Sequence, residues 1–203
     1  MKKPIATIIM ENGAEIVIEL IPELAPNTVN SFIYLAGRCA FDNYKIARVE
    51  PGFVVDVSTN AFDREDCRYL IENEADKIPA EKRLPPELGV VGMGGYAIGN
   101  AIGIADGIAG GEFFFPLEHV PRLDGNYPMF GRILKGVEEI IRIGRGPVVE
   151  FAYYYGKLKN KPVNREVITS VKVETHGQSY PEPVRLDAKL PPHWLMEDYN
   201  KRI

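Results

Sequence analysis

The feature that most constrains the fold is the alternation of apolar and polar side chains in the first twenty residues. Ile16, Ile18 and Leu20 face one way and the residues between them face the other, the pattern of a half-buried β-strand. Asn12-Gly13 lies between two such runs. This dipeptide is the strongest short-range hairpin signal, because a type I′ turn needs positive φ at both central residues. We therefore predict that the chain begins with a β-hairpin closed by a type I′ turn.

Two helices are predicted among the strands. The first starts at Pro26, because a proline tolerates the first turn of a helix, and stops at Gly37. Its apolar face comprises Val29, Phe32, Ile33 and Ala36. The second runs from about Leu134 to Ile143 and ends at Gly144. Its predicted buried face comprises Val137, Ile140 and Ile141, and its predicted solvent-exposed face comprises Glu138 and Glu139.

Short strands and loops fill much of the chain between these helices, and a last strand is predicted from Glu166 to Thr175. Many short strands with two modest helices indicate an all-β fold, a closed or nearly closed antiparallel barrel rather than a βαβ sheet.

Composition excludes several classes of function. A net charge of −4 and a pI near 5.5 argue against nucleic acid as the main partner. No run approaches the roughly 18 apolar residues of a membrane span, so no membrane partner is expected. Cys39 and Cys67 lack metal-ligand spacing and indicate two reduced thiols in a cytoplasmic protein. The three histidines are too scattered for a metal set, and no phosphate-binding loop occurs, so we expect neither metal nor cofactor.

The end of the chain differs in character from the rest. We divide the sequence into a barrel domain, residues 1–176, and a C-terminal extension, residues 177–203. Four prolines and the single tryptophan, Trp194, indicate an extended tail. Its Trp194-Leu195-Met196 patch is predicted to dock on the chain's own barrel, with a partner chain as the alternative.

Four motifs then occur in a fixed order. They are Glu19–Val29 (ELIPELAPNTV), Ile46–Phe53 (IARVEPGF), Gly111–Phe115 (GEFFF) and Leu123–Arg132 (LDGNYPMFGR). In this order and at about these spacings they resemble the cyclophilin family of peptidyl-prolyl cis/trans isomerases. The resemblance covers about residues 5–175. It implies an eight-stranded closed antiparallel barrel capped by two α-helices, and a prolyl isomerase that needs no cofactor.

The resemblance also implies roles for individual residues. Arg48 is the catalytic cation, and Phe53, Phe114 and Leu123 line the pocket for the proline ring. Tyr127 stands at a further pocket position where the family commonly has histidine and sometimes tyrosine. Asp56, Gly94, Gly95, Glu112 and Arg122 complete the expected substrate groove. The expected partners are proline-containing peptides or unfolded proteins. The oligomeric state is left open, with a monomer favoured.

Several groove positions depart from the family pattern. Asp56 and Glu112 stand where the family usually has glutamine, Val57-Ser58-Thr59 replaces Gly-Gly-Asp, and Arg122 stands where many members have tryptophan. The stretch from Gly92 to Tyr96 replaces Ser-Met-Ala-Asn-Ala.

We hypothesise that Asp56 pairs with Arg48, either orienting the guanidinium or occupying its donors. The alternatives to an isomerase are therefore a catalytically weak module that binds proline-containing segments and a small-molecule or anionic-ligand barrel that shares only the scaffold.

Overall fold

The computed structural model describes residues 2–58, 64–96, 107–152 and 158–195, and in them the chain is mostly β-strand with two α-helices. The strands are β1 (Ile5–Met10), β2 (Glu15–Leu20), β3 (Tyr44–Lys45), β4 (Arg48–Glu50), β5 (Val54–Val57), β6 (Leu70–Ile71), β7 (Val90–Tyr96), β8 (Gly107–Pro116), β9 (Met129–Lys135), β10 (Val148–Ala152), β11 (Leu158–Pro162) and β12 (Val167–Glu174). The helices are α1 (Pro26–Gly37) and α2 (Val137–Gly144). Short 3-10 helices cover Glu65–Cys67, Ala75–Lys77, Ala80–Lys82, Pro121–Leu123 and Pro192–Leu195.

Ten of these strands form one strongly curled antiparallel sheet in the order β3-β12-β1-β2-β9-β7-β8-β5-β4, with β6 paired to β8. Strands β10 and β11 form a separate two-stranded sheet. The predicted mostly β fold with two helices is confirmed. The closed eight-stranded barrel stays a prediction, because among the described residues no ladder joins the end strands β3 and β4.

The opening hairpin is confirmed, but the predicted type I′ turn is wrong. Gly13 has φ +85°, whereas Asn12 is not among the positive-φ residues, so the loop holds three residues and closes through Gly13 N–H to the Met10 carbonyl at 2.9 Å. A type I turn followed by a left-handed glycine suits such a loop. Asn12 acts through its side chain instead: Oδ1 accepts from Ala14 N–H at 2.9 Å, and Nδ2 donates to Glu139 at 2.8 Å.

Helix α1 begins and ends where the sequence predicts. Its buried residues are Thr28, Val29, Ser31, Phe32, Leu35 and Ala36. Ile33, which was predicted on the apolar face, is only half-buried, and Leu35 lies inward with the others. Phe32 stacks on Phe41 with ring centroids 5.3 Å apart and meets Phe113 edge-on at 5.4 Å, so α1 supplies the centre of the main core.

Helix α2 begins later than predicted. Leu134 belongs to β9, and Gly136, with φ +89°, turns the chain before the helix starts at Val137. A Cβ at residue 136 would lie 2.1 Å from the Glu15 carbonyl oxygen, so the turn requires glycine.

The faces of α2 also differ from the prediction. Glu139, predicted on the solvent-exposed face, is buried because it accepts hydrogen bonds from Asn12 at 2.8 Å and Arg142 at 2.8 Å. Ile143 is buried, while Ile141, which was predicted on the buried face, is half-buried. A buried carboxylate is tolerated here because it is paired and hydrogen-bonded.

The C-terminal extension docks on the chain's own sheet, as predicted for Trp194. The Leu186 N–H donates to the Leu70 carbonyl at 2.8 Å, and Trp194 is 1% exposed. The Trp194 ring meets Tyr96 edge-on, with centroids 6.0 Å apart. Leu195 is 61% exposed, and Met196 lies outside the described residues. The boundary between domain and extension stays a prediction.

In the part of the chain that the structure describes, no helix is long and apolar enough to cross a membrane.

We expect Glu74→Ala to destabilise the fold by about 1–3 kcal/mol. Helix α1 has no side-chain cap of its own, and the buried Glu74 carboxylate accepts instead from Asn27 N–H at 3.0 Å and from Thr28 N–H and Oγ1–H at 2.8 and 2.7 Å. Removing the carboxylate leaves these donors unsatisfied at the positive end of the helix dipole. Urea denaturation measures the loss.

The matched control for that measurement is Glu72→Ala. The Glu72 side chain is 60% exposed and pairs with Lys77 at 2.6 Å in a surface salt bridge, so its loss costs about 0–1 kcal/mol. Equal unfolding free energies for the two variants would contradict a capping role for Glu74.

Candidate active site

The Arg48 side chain is placed by the hairpin of β4 and β5. Arg48 and Asp56 are cross-strand partners in this ladder, which puts both side chains on the same face. The Arg48 Nη1 donates to Asp56 Oδ2 at 2.6 Å, so the hypothesis of a charge-assisted pair is confirmed.

A second carboxylate contacts the same guanidinium, and the sequence reasoning missed it. Glu50 stands two residues after Arg48 in β4 and therefore shares its face. The Arg48 Nε donates to Glu50 Oε1 at 3.1 Å. In turn, Asn160 Nδ2 on β11 donates to Glu50 Oε2 at 2.7 Å. The alternation of strand residues was a signal that could have identified Glu50, whereas nothing local to β4 points to Asn160.

These contacts shift the pKa values of Arg48, Asp56 and Glu50. Burial opposes the charge on Arg48, but the Asp56 and Glu50 carboxylates outweigh it and raise the Arg48 pKa. Burial raises the pKa of Asp56, and Arg48 offsets part of that rise. Burial also acts to raise the pKa of Glu50, yet hydrogen bonds from Asn160 and the charge of Arg48 lower it overall. The guanidinium stays charged in this setting.

An apolar notch lies beside the guanidinium. Phe114 and Leu123 are 5% and 8% exposed and belong to a small apolar cluster that is separate from the main core, with Phe53 and Tyr127 packed against it. The Phe114 and Tyr127 rings meet edge-on with centroids 5.8 Å apart. Phe113, on the opposite face of β8, lies in the main core, as the alternation in that strand predicted.

Two glycines of β7, Gly94 and Gly95, form another part of the surface near Arg48. The pairing of β7 with β8 shifts register between Met93 and Gly95, and Gly95 has φ +135°. A Cβ on Gly95 would lie 2.3 Å from the Ala109 nitrogen, so only glycine fits this bulge. Gly94 lies against the Glu112 carbonyl, and the Glu112 side chain, 8% exposed, is on the same face of β8 as Phe114.

Arg122 lies over one of the aromatic rings. It is in the 3-10 helix Pro121–Leu123, and its guanidinium carbon is 4.1 Å from the centroid of the Phe53 ring. This distance is within the range of a cation–π contact. A second arginine therefore stands at the apolar notch, as the sequence predicted.

The Arg48 guanidinium, the apolar notch and the two glycines line one cleft with a volume of about 750 Å³. All of the predicted site residues meet there: Arg48, Phe53, Asp56, Gly94, Gly95, Glu112, Phe114, Arg122, Leu123 and Tyr127. The cleft also contains residues that the sequence did not identify: Glu50, Pro51, Val54, Asn126, Leu158 and Lys159. Ser58 and Tyr96, which the sequence marked only as departures from the family pattern, line it as well. The structure places these side chains together, and their roles in catalysis and binding stay predictions. Thr59, in the stretch that departs from the family pattern, lies outside the described residues.

A metal site is not built among residues 2–58, 64–96, 107–152 and 158–195: they contain no group of three or more His, Cys, Asp or Glu side chains that could hold an ion. The cleft does combine an oriented cation with an apolar notch. This combination can bind an apolar ring and stabilise electron density that develops beside it.

Comparison with known families gives one match over most of the chain. The family model described as "Cyclophilin type peptidyl-prolyl cis-trans isomerase/CLD" matches residues 5–173. Peptidyl-prolyl cis-trans isomerase B of Bacillus subtilis is 30% identical over 143 residues, which are 70% of this chain and 92% of that protein. Peptidyl-prolyl cis-trans isomerase-like 1 of Gibberella zeae is 31% identical over 130 residues, 64% of this chain and 75% of that protein.

Solved structures agree at the level of the fold. A cyclophilin type peptidyl-prolyl cis-trans isomerase of Cryptosporidium parvum superposes with a TM-score of 0.65 at 18% identity, covering 85% of this chain and 97% of that one. A structure of the same Cryptosporidium protein in the presence of the dipeptide Ala-Pro gives a TM-score of 0.63 at 19% identity, over 84% and 98% of the two chains.

Proposed function

The chain belongs to the cyclophilin type of peptidyl-prolyl cis-trans isomerases, and we propose that it accelerates rotation about X–Pro bonds through Arg48. The uncatalysed barrier is about 18–20 kcal/mol, because resonance keeps the amide planar. In the twisted state the prolyl nitrogen gains a lone pair. A cation beside that nitrogen stabilises the twisted state more than the planar one, and only such a difference raises the rate.

The observation that carries this proposal is the way Arg48 is held. Asp56 and Glu50 accept from Nη1 and Nε, and among the described residues no acceptor is hydrogen-bonded to Nη2. A planar guanidinium held at two of its nitrogens can still present the third to a substrate. The adjacent Phe114 and Tyr127 rings offer an apolar surface for a proline ring.

The proposed substrates are proline-containing peptides and unfolded protein segments. The solved relative in the presence of Ala-Pro supports this class of ligand. Such a reaction needs no nucleophile, metal or cofactor, since no covalent bond is made or broken. We further assign binding roles to Phe53, Gly94, Gly95, Glu112 and Leu123, which line the same cleft.

A second candidate function is a module that binds proline-containing segments but isomerises them poorly. The observation that favours it is the pair of carboxylates on one guanidinium, since their negative charge opposes the attraction of Arg48 for a developing lone pair.

One experiment separates the two functions. NMR exchange spectroscopy on an Ala-Pro peptide reports cis/trans exchange and binding in the same sample. Faster exchange supports the isomerase, and shifted signals without faster exchange support the binding module. If the protein changes neither the exchange rate nor the peptide signals, the small-molecule barrel becomes the best interpretation.

We expect Asp56→Asn to raise kcat several-fold. The asparagine Oδ1 can still accept from Arg48 Nη1, while Glu50 still accepts from Nε, so the guanidinium keeps its orientation. The substitution removes one of two opposing charges from a buried site, where charges interact more strongly than in water. A protease-coupled assay measures the change. A large fall in kcat would instead mean that the Asp56 charge itself is needed to position Arg48.

Further features complete the proposal. We propose that the curled sheet closes into a barrel through residues 44–50, because only Ile46 and Ala47 separate the end strands β3 and β4.

We also propose a cytoplasmic, monomeric protein. The exposed Cys39 and buried Cys67 are not joined in a disulfide, which supports a reducing compartment.

A further inference from the structure

The hairpin of β10 and β11 stands apart from the main sheet. Within the described parts of the chain its two strands, Val148–Ala152 and Leu158–Pro162, pair only with each other, and β11 packs against β4. An isolated two-stranded hairpin is marginally stable, so its contacts with the rest of the molecule hold it in place. Leu158 and Lys159 on β11 line the cleft. The hairpin therefore forms part of the wall beside Arg48.

The third residue of β11, Asn160, is the link between this hairpin and the guanidinium. Its Nδ2 donates to Glu50 Oε2 at 2.7 Å, and its backbone N–H lies 3.4 Å from Glu50 Oε1. The same Oε1 accepts from Arg48 Nε at 3.1 Å. Both oxygens of the Glu50 carboxylate are thus engaged, which fixes its side chain, 17% exposed, at one edge of Arg48.

The two edges of the guanidinium are held by different means. The Asp56 contact comes from the adjacent strand in the same ladder, so it follows from the sheet itself. The Glu50 contact depends on Asn160, because Glu50 and Arg48 lie in one strand and the carboxylate would otherwise be able to turn toward water. A guanidinium held at one nitrogen alone can pivot about that bond, and a misplacement of about 1 Å can cost about a hundredfold in rate.

We propose that Asn160 is a positioning residue for isomerisation, acting through Glu50 on the orientation of Arg48. This inference rests on the proposed function. The β10–β11 hairpin would then contribute to catalysis by supplying Asn160.

The test compares Asn160→Ala with Asn164→Ala, a matched change in an exposed residue just beyond the hairpin. We expect Asn160→Ala to lower kcat about tenfold while KM changes little, because the notch that binds proline is untouched. Asn164→Ala keeps wild-type kinetics. Glu50→Ala, which removes the carboxylate that contacts both Arg48 and Asn160, is expected to lower kcat to a similar extent and serves if Asn160→Ala does not fold.

A double-mutant cycle then asks whether Asn160 acts through Glu50. Residues that act through one contact are non-additive, so adding Asn160→Ala to Glu50→Ala should bring no further loss of kcat. Additive losses, or a wild-type kcat in Asn160→Ala, would overturn the proposal.

A measurement without substrate separates this inference from the proposed function. The Arg48 Nε–H signal in a ¹H–¹⁵N spectrum, identified by its absence in Arg48→Lys, should exchange slowly in the wild type and quickly in Asn160→Ala. An unchanged signal in Asn160→Ala would overturn the positioning role. If the wild type does not isomerise Ala-Pro peptides, the proposed function fails, and this signal still decides whether Asn160 orients Arg48.

Discussion

Arg48→Ala is expected to lower kcat/KM for X–Pro isomerisation by about a hundredfold or more. The substitution removes the cation that stabilises the twisted amide and leaves the apolar notch of Phe114 and Tyr127 in place. Binding of a proline peptide should therefore weaken much less than turnover, since an interaction made only in the transition state affects kcat. NMR exchange spectroscopy measures both quantities on the same peptide.

Two control variants sharpen this result. Arg48→Lys keeps the charge but loses the planar fork that donates to Glu50 and Asp56 together, so it should recover only a small part of the activity. Arg165→Ala removes an arginine whose side chain is 70% exposed and outside the cleft, and it should behave as wild type. Retention of full activity in Arg48→Ala would exclude this arginine as the source of catalysis.

The residues of the site were predictable where they depend on local strand geometry. Arg48 and Asp56 lie in one short hairpin, so their separation along the chain already brings them onto one face. The same applies to Phe114 and Glu112, which alternate with the core residue Phe113 along β8. In these cases the motif and the two-residue period of a strand carry the information.

Contacts between distant parts of the chain were not predictable in this way. Asn160 reaches Glu50 across 110 positions, and no pattern in either segment specifies that the two strands pack together. Glu139 was misassigned to the solvent for the same reason: its partner Asn12 comes from the opening hairpin, and a helical period alone cannot show that a carboxylate will be paired inside. Sequence patterns separate apolar faces from polar ones, but they do not distinguish a polar residue that is paired in the interior from one that is exposed to solvent.

The turn at Asn12-Gly13 shows a further limit. The dipeptide predicted positive φ at both positions, and only Gly13 adopts it. Asn12 instead uses its side chain to accept from Ala14 and to donate to Glu139. These bonds favour the three-residue loop over the tighter type I′ turn, so a tertiary contact decided a choice that the local sequence left open.

The buried ring of Trp194, in the C-terminal extension, contacts a residue that lines the cleft. Trp194 packs on Tyr96, and Tyr96 both ends β7 and lines the cleft next to Gly94 and Gly95. The extension is attached to the sheet upstream as well, where Leu186 N–H donates to Leu70. A tail that contributes a fully buried tryptophan to the core is part of the folded unit in energetic terms.

Trp194→Ala should therefore destabilise the protein by about 3–5 kcal/mol, the usual cost of deleting a large buried aromatic side chain. The adjacent Leu195→Ala provides the control, because Leu195 is 61% exposed and its truncation should change the unfolding free energy by less than about 0.5 kcal/mol. Urea denaturation measures both variants. Because Tyr96 loses its packing partner, Trp194→Ala should also raise KM for a proline peptide at a temperature where the variant remains folded. Equal stabilities for the two variants would mean that the Trp194 ring contributes no packing energy and that the extension does not stabilise the rest of the fold.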